Sequence, residues 1–132
     1  MKEERKGCKI MGYRSDVRIR TTKEGYEVMK NFVEKYIKEK ELKGTDWNLL
    51  EHAIKTEMEG IITLDWNYMK WYEGEKGYED VDAIMKSLDI LDEKGIDYQY
   101  MRIGEEIDDI DERWEINNDS FDSFYVSRGF EG

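Results

Sequence analysis

Residues Tyr98 to Glu112 read YQYMRIGEEIDDIDE. The first six, Tyr98 to Ile103, carry apolar or aromatic groups at both odd and even positions. A strand of that kind needs cover on both of its faces, which predicts the central strand of a sheet. Gly104 marks a turn. Six carboxylates then follow within eight residues, Glu105, Glu106, Asp108, Asp109, Asp111 and Glu112, interrupted only by Ile107 and Ile110. A buried strand running into dense negative charge is the feature around which the chain is organised.

Downstream, Trp114 and Ile116 alternate with Arg113 and Glu115 as in a half-buried strand. Asn117-Asn118-Asp119-Ser120 is turn chemistry. Phe124 and Val126 share a face of a last strand, so a C-terminal hairpin is expected. Upstream, Val81, Ile84, Met85, Leu88 and Leu91 recur at helical spacing. Glu79, Asp80 and Asp82 suit the positive end of that helix, Lys94 suits its negative end, and Gly95 supplies the stop. Further back, Val17 and Ile19 alternate with Arg18 and Arg20 in a strand. Thr21 or Thr22 offers an N-cap. Tyr26, Met29, Val33, Tyr36 and Ile37 then form the stripe of a first helix that ends near Lys43 and Gly44.

Residues 46–58 read two ways. Thr45 or Asp46 can cap a short helix carrying Trp47, Leu50, Ala53 and Ile54, or Ile54, Thr56 and Met58 can line one face of a strand. Gly60 precedes another strand, IITLDW. These elements predict an α+β fold: a mixed or mainly antiparallel sheet with two main helices on one face, split-βαβ-like, with a C-terminal hairpin. Residues 1–12 form a charged lead, 13–128 a single domain and 129–132 a tail.

The 132 residues carry a net charge of −11, and 39% are hydrophobic, enough for a core despite 40% charged residues. No run approaches the roughly 18 apolar residues of a membrane span, and no apolar signal region follows the N-terminus. One cysteine, Cys8, forms no internal disulfide. A cytoplasmic protein without membrane contact is therefore expected. The negative field disfavours direct nucleic-acid binding and favours basic partners.

His52 is the single histidine, so nucleophile systems built on histidine and structural zinc sites lack their residues. No Gly-rich phosphate loop is present. The acidic run has no glycine after Gly104 and so breaks the calcium-loop pattern. No metal, no cofactor and no catalytic residue is expected. The aromatic group Trp47, Trp66, Tyr68, Trp71 and Tyr72 reads first as core, with Trp71 and Tyr72 as candidate partner anchors.

Three segments carry a resemblance. They are Gly12-Tyr13-Arg14-Ser15-Asp16-Val17; Lys70-Trp71-Tyr72 with Tyr78-Glu79-Asp80-Val81; and Arg102-Ile103-Gly104-Glu105-Glu106 with Asp108-Asp109-Ile110. Together they resemble a group of small accessory proteins encoded by bacteriophages and mobile elements, over most of residues 12–128. The resemblance implies a non-structural phage protein acting in the bacterial host cytoplasm. By analogy of genomic setting it implies an anti-defence factor, such as an inhibitor of CRISPR nucleases.

The first functional expectation is a non-enzymatic inhibitor that occupies a basic, nucleic-acid-binding surface of a host protein. Glu105, Glu106, Asp108, Asp109, Asp111, Glu112, Trp71 and Tyr72 would make the contact. The alternative is a small-ligand or nucleotide-binding protein, hydrolytic in one version, with Arg14, Asp16, Arg102 and Trp66 around an aromatic pocket. A third reading is a structural or oligomeric accessory domain.

Overall fold

The computed structural model describes residues 12–43, 47–126 and 130–131. Residues 1–11 of the charged lead, with Cys8, and the candidate caps Gly44, Thr45 and Asp46 lie outside them.

The elements run β1 (Ser15–Thr22), α1 (Lys23–Glu39), α2 (Leu49–His52), β2 (Ile54–Met58), β3 (Ile61–Met69), α3 (Glu79–Lys94), β4 (Tyr98–Ile103), β5 (Ile110–Glu115), β6 (Tyr125–Val126) and β7 (Phe130–Glu131). The first five strands form one sheet in the order β2-β3-β1-β4-β5, with every neighbouring pair antiparallel. This is the expected α+β class. The β-α-β-β-α-β succession is the split βαβ arrangement, extended by β5 at the β4 edge.

The centre of the sheet is β1, not the 98–103 strand. Its alternation decides which face is covered: Val17, Ile19 and Thr21 are buried, as are their cross-strand neighbours Trp66, Leu64 and Ile62 on β3 and Tyr100 and Tyr98 on β4. The two long helices close over this face. From α1 come Met29, Val33 and Tyr36, and from α3 come Val81, Ile84, Met85, Leu88 and Leu91, in one core with the sheet.

β4 is indeed buried on both faces, by a different route. Tyr98 and Tyr100 lie under the helices, while on the other face Gln99 lies under the chain returning after β5 and Met101 is also buried. The Gln99 amide donates to the Phe124 carbonyl at 2.8 Å and accepts from the Phe124 N–H at 3.0 Å. The Phe124 ring is buried, with the Arg18 and Arg20 guanidinium groups 5.5 and 5.3 Å from its centre.

The strands of the C-terminal hairpin differ from those expected. β5 pairs with β4, from Ile103 opposite Ile110 to Tyr98 opposite Glu115, instead of with the chain around Phe124. The reason is that the acid-rich segment is itself the hairpin turn, closed by a Gly104 N–H to Asp109 carbonyl bond of 2.8 Å. β6 pairs separately with β7, so part of the expected tail lies in a strand.

Residues 47–58 hold a helix shorter than the expected one, Leu49–His52, which leaves out Trp47, Ala53 and Ile54, and then the expected strand. Asn48, not Thr45 or Asp46, caps α2 by accepting from the Leu50 N–H, and Ile54, Thr56 and Met58 then share a face of β2. His52 is exposed at the end of α2.

α1 begins with almost no loop because Thr22 both ends β1 and caps the helix, accepting from the Gly25 N–H at 3.0 Å. Thr22→Ala removes that acceptor and is expected to lower stability by about 1 kcal/mol in a urea melt, with Thr22→Ser close to wild type.

Candidate binding site: the acidic β4–β5 turn

Arg102 leaves β4 on the helix-covered side and is only 6% exposed. A buried guanidinium needs acceptors for its fork of N–H donors. The sequence supplies them from both sides. Asp111, directly opposite on β5, accepts from Nε at 3.0 Å and from Nη2 at 2.8 Å. Asp109 accepts from Nη2 at 2.7 Å and from Nη1 at 3.2 Å, and Ser15 Oγ accepts from Nη1 at 3.0 Å. Burial works against the charged guanidinium, but the two carboxylates hold its pKa above the ordinary value.

Tyr13 completes the knot. Its hydroxyl donates to Asp109 Oδ2 at 2.5 Å and accepts from the N–H groups of Glu105 and Glu106 at 2.9 and 3.2 Å. Burial, and then the bond to Asp109, push the phenol pKa up. The Glu105 carboxylate takes the Arg14 N–H at 2.7 Å. Gly104 belongs here for steric reasons, since a Cβ at this position would collide with the Asp109 carboxylate and the Tyr13 hydroxyl. The turn is thus tied to the chain just before β1 and to a buried charge.

The expected acidic face therefore divides. Asp109 and Asp111 are counter-ions of Arg102, which turns two of the predicted contact residues into framework. Glu105, Glu106 and Asp108 are exposed on the turn, around Ile107, which is 77% exposed. Glu112 is exposed on the opposite face of β5, with Trp114.

Of the two expected partner anchors, Trp71 is corrected by its burial, and Tyr72 is half-buried. The Trp71 ring is buried, 5.2 Å from the ring of Trp66. The Tyr72 hydroxyl donates to the Tyr13 carbonyl at 2.8 Å, and its ring lies 4.8 Å from that of Tyr78. Tyr72 thus supports the chain that carries Tyr13, while Trp71 belongs to the core.

The four residues of the alternative pocket are also separated. Arg102 and Trp66 lie under the helices on either side of Val17, and Trp66 Nε1 donates to the Leu49 carbonyl at 2.9 Å. Asp16 points to the other face and accepts from the Tyr68 N–H at 2.8 Å. Tyr68 stands at φ 57° where an extra β3 residue bulges opposite Ser15–Val17. The Arg14 guanidinium lies 5.0 Å over its ring.

Two contributors were not among the expected site residues. Tyr13 had no local signal, because its partners lie more than 90 residues away. Ile107 was legible only as an apolar residue in a polar turn. Among the described residues, no group of three or more histidine, cysteine or acidic side chains is placed to hold a metal ion. Among the same residues, no helix is long and apolar enough to cross a membrane. No protein-family model matches the chain, and neither a curated protein nor a solved structure matches it.

Proposed function

We propose that this is a non-enzymatic binding protein whose β4–β5 turn docks on a basic protein surface. One observation carries the reading: Ile107 stands exposed among Glu105, Glu106 and Asp108 on a turn that Tyr13 and Arg102 hold in place. An ordered turn loses little conformational freedom on docking. Its exposed carboxylates steer encounter with positive charge, and a projecting apolar side chain can fill a recess and slow departure. The net charge of −11 extends the same field and repels nucleic acid itself.

The finer form of the proposal is a phage accessory protein that inhibits a host protein in the bacterial cytoplasm. It would act as an anti-defence factor of the anti-CRISPR kind, covering a basic nucleic-acid-binding surface. The resemblance of the GYRSDV, KWY and RIGEE segments and the sign of the charge support it.

The test is association kinetics with the partner captured from a bacterial host. The variant Glu105→Gln, Glu106→Gln, Asp108→Asn is expected to bind with an on-rate lower by about tenfold or more at low salt. Wild-type association should slow as the Debye length shrinks from about 10 Å at 0.1 M to about 3 Å at 1 M salt. Ile107→Ser should mainly raise the off-rate. Both variants binding like wild type would remove this turn from the mechanism. Failure of the protein to displace nucleic acid from the partner would remove the inhibitory form while leaving the binding form intact.

A further inference from the structure

At the other end of the sheet, β2 is the terminal strand, and no described segment pairs with its outer edge. All five of its residues are exposed. Natural edges are blunted by short strands, charged side chains, proline or bulges; β2 is short and carries Lys55 and Glu57 on its helix side, charges that discourage any strand not matched to them. The chain has no proline, and the β2–β3 ladder runs from Ile54 to Met58 without a register shift.

The backbone groups available on this edge follow from the turn. Glu59 and Gly60 have φ of 54° and 81°, a two-residue turn with both central residues left-handed. Met58 and Ile61 close it and exchange hydrogen bonds. By the alternation of an antiparallel ladder, Met58, Thr56 and Ile54 aim their N–H and C=O groups at β3, while Glu57 and Lys55 aim theirs outward.

The sequence IKTEM is complementary to itself when read antiparallel about its middle residue. A two-fold axis at Thr56 places Lys55 opposite the partner's Glu57 and Glu57 opposite the partner's Lys55. It also sets Ile54 beside the partner's Met58, and Met58 beside the partner's Ile54. The outward backbone groups of Lys55 and Glu57 then meet as hydrogen-bonded pairs, and Thr56 meets its copy as the non-bonded pair between them. The apolar side chains that gain cover are 58% exposed at Ile54 and 70% exposed at Met58.

Charge selects this register. An axis at Lys55 or at Glu57 would set like charges directly opposite each other, which destabilises a strand pair. The present partners of these side chains are weak competitors. Lys55 Nζ lies 4.5 Å from the centre of the Tyr26 ring, and Glu57 lies 3.6 Å from the exposed Lys23 ammonium. The opposite edge, β5, lacks the same property. An axis there that matches Asp111 with Arg113 sets Glu112 against itself, and those two are already engaged, Asp111 with Arg102 and Arg113 with Asp89 and Asp92.

We infer that β2 pairs with β2 of a second copy of this chain, forming a two-fold dimer with one continuous sheet through both protomers. The inference stands apart from the binding role of the β4–β5 turn, and such a dimer would carry two of those turns.

Sedimentation velocity over a concentration series up to millimolar tests it. Wild type should shift from the 15.9 kDa protomer to twice that mass. Lys55→Glu alone and Glu57→Lys alone create like-charge pairs in both halves of the interface, and each should weaken the dimer by about tenfold or more. In an equimolar mixture of the two variants, a strand with two glutamates faces a strand with two lysines. Both cross-strand pairs are then of opposite charge, and a dimer of wild-type strength should return. The double variant Lys55→Glu, Glu57→Lys should restore it too. Far-ultraviolet circular dichroism should be unchanged throughout, because both side chains are exposed. A wild type that stays a protomer at millimolar concentration would overturn the inference. So would a dimer insensitive to both single reversals, or a mixture that fails to recover.

Discussion

Arg102→Met is expected to lower stability by roughly 3 kcal/mol, near the lower end for breaking a buried ion pair by removing one partner. The mechanism is loss of the acceptor-matched fork. Asp109 and Asp111 lose their common cation, Ser15 loses a donor, and the turn is left with two close carboxylates facing a buried space. The figure sits low in the range because Asp111 is 62% exposed and can recover water. Arg102→Lys keeps the charge but reaches fewer acceptors, so it should fall between methionine and wild type. Urea unfolding of the three proteins checks the order. Arg102→Met within about 0.5 kcal/mol of wild type would show that the knot is ornamental, because surface substitutions stay in that range. Under the proposed docking role, the same variant should also slow association, since the turn that presents Ile107 would no longer be held.

Asp97→Ala is the second large effect, expected to cost about 3–4 kcal/mol through the loss together of several charge-assisted hydrogen bonds to a buried carboxylate. Asp97 follows α3 and is almost fully buried. Its carboxylate accepts from the N–H groups of Asn117 at 2.7 Å, Asn118 at 3.1 Å and Ser120 at 3.1 Å. These bonds bend the chain after β5 so that it returns across the open sheet face to Phe124 and Gln99. Burial alone would raise the Asp97 pKa, but the donors from Asn117, Ser120 and Asn118 outweigh it and hold the value below the ordinary one.

The sign of the pH dependence follows. With the folded pKa depressed, the stabilisation is complete above the unfolded carboxylate pKa of about 3.9 and is lost as pH falls through the lower folded value. Wild type should therefore lose stability steeply below about pH 4, whereas Asp97→Asn should start less stable at neutral pH and lose less on acidification. The difference between the two curves is the readout, because protonating the many other carboxylates relieves self-repulsion in both proteins alike. Parallel curves would assign the acid sensitivity elsewhere.

The elements and their buried sides were legible along the chain. The stripes Met29-Val33-Tyr36 and Val81-Ile84-Leu88 and the alternation of Val17 and Ile19 are local periodicities, and burial follows them. Gly95, in the left-handed conformation at the end of α3, was equally legible. Only the assembled fold makes β1 the central strand, covers β4 with the returning chain at Phe124, and turns Trp71 toward Trp66 in the core. It also sorts the carboxylates of one acidic run into counter-ions and exposed groups. Side-chain direction repeats every two or 3.6 residues and can be read along the chain. The partner of a charge is chosen through space: Asp109 answers to Arg102 and to Tyr13, the latter 96 residues away, while Asp108 beside it meets water.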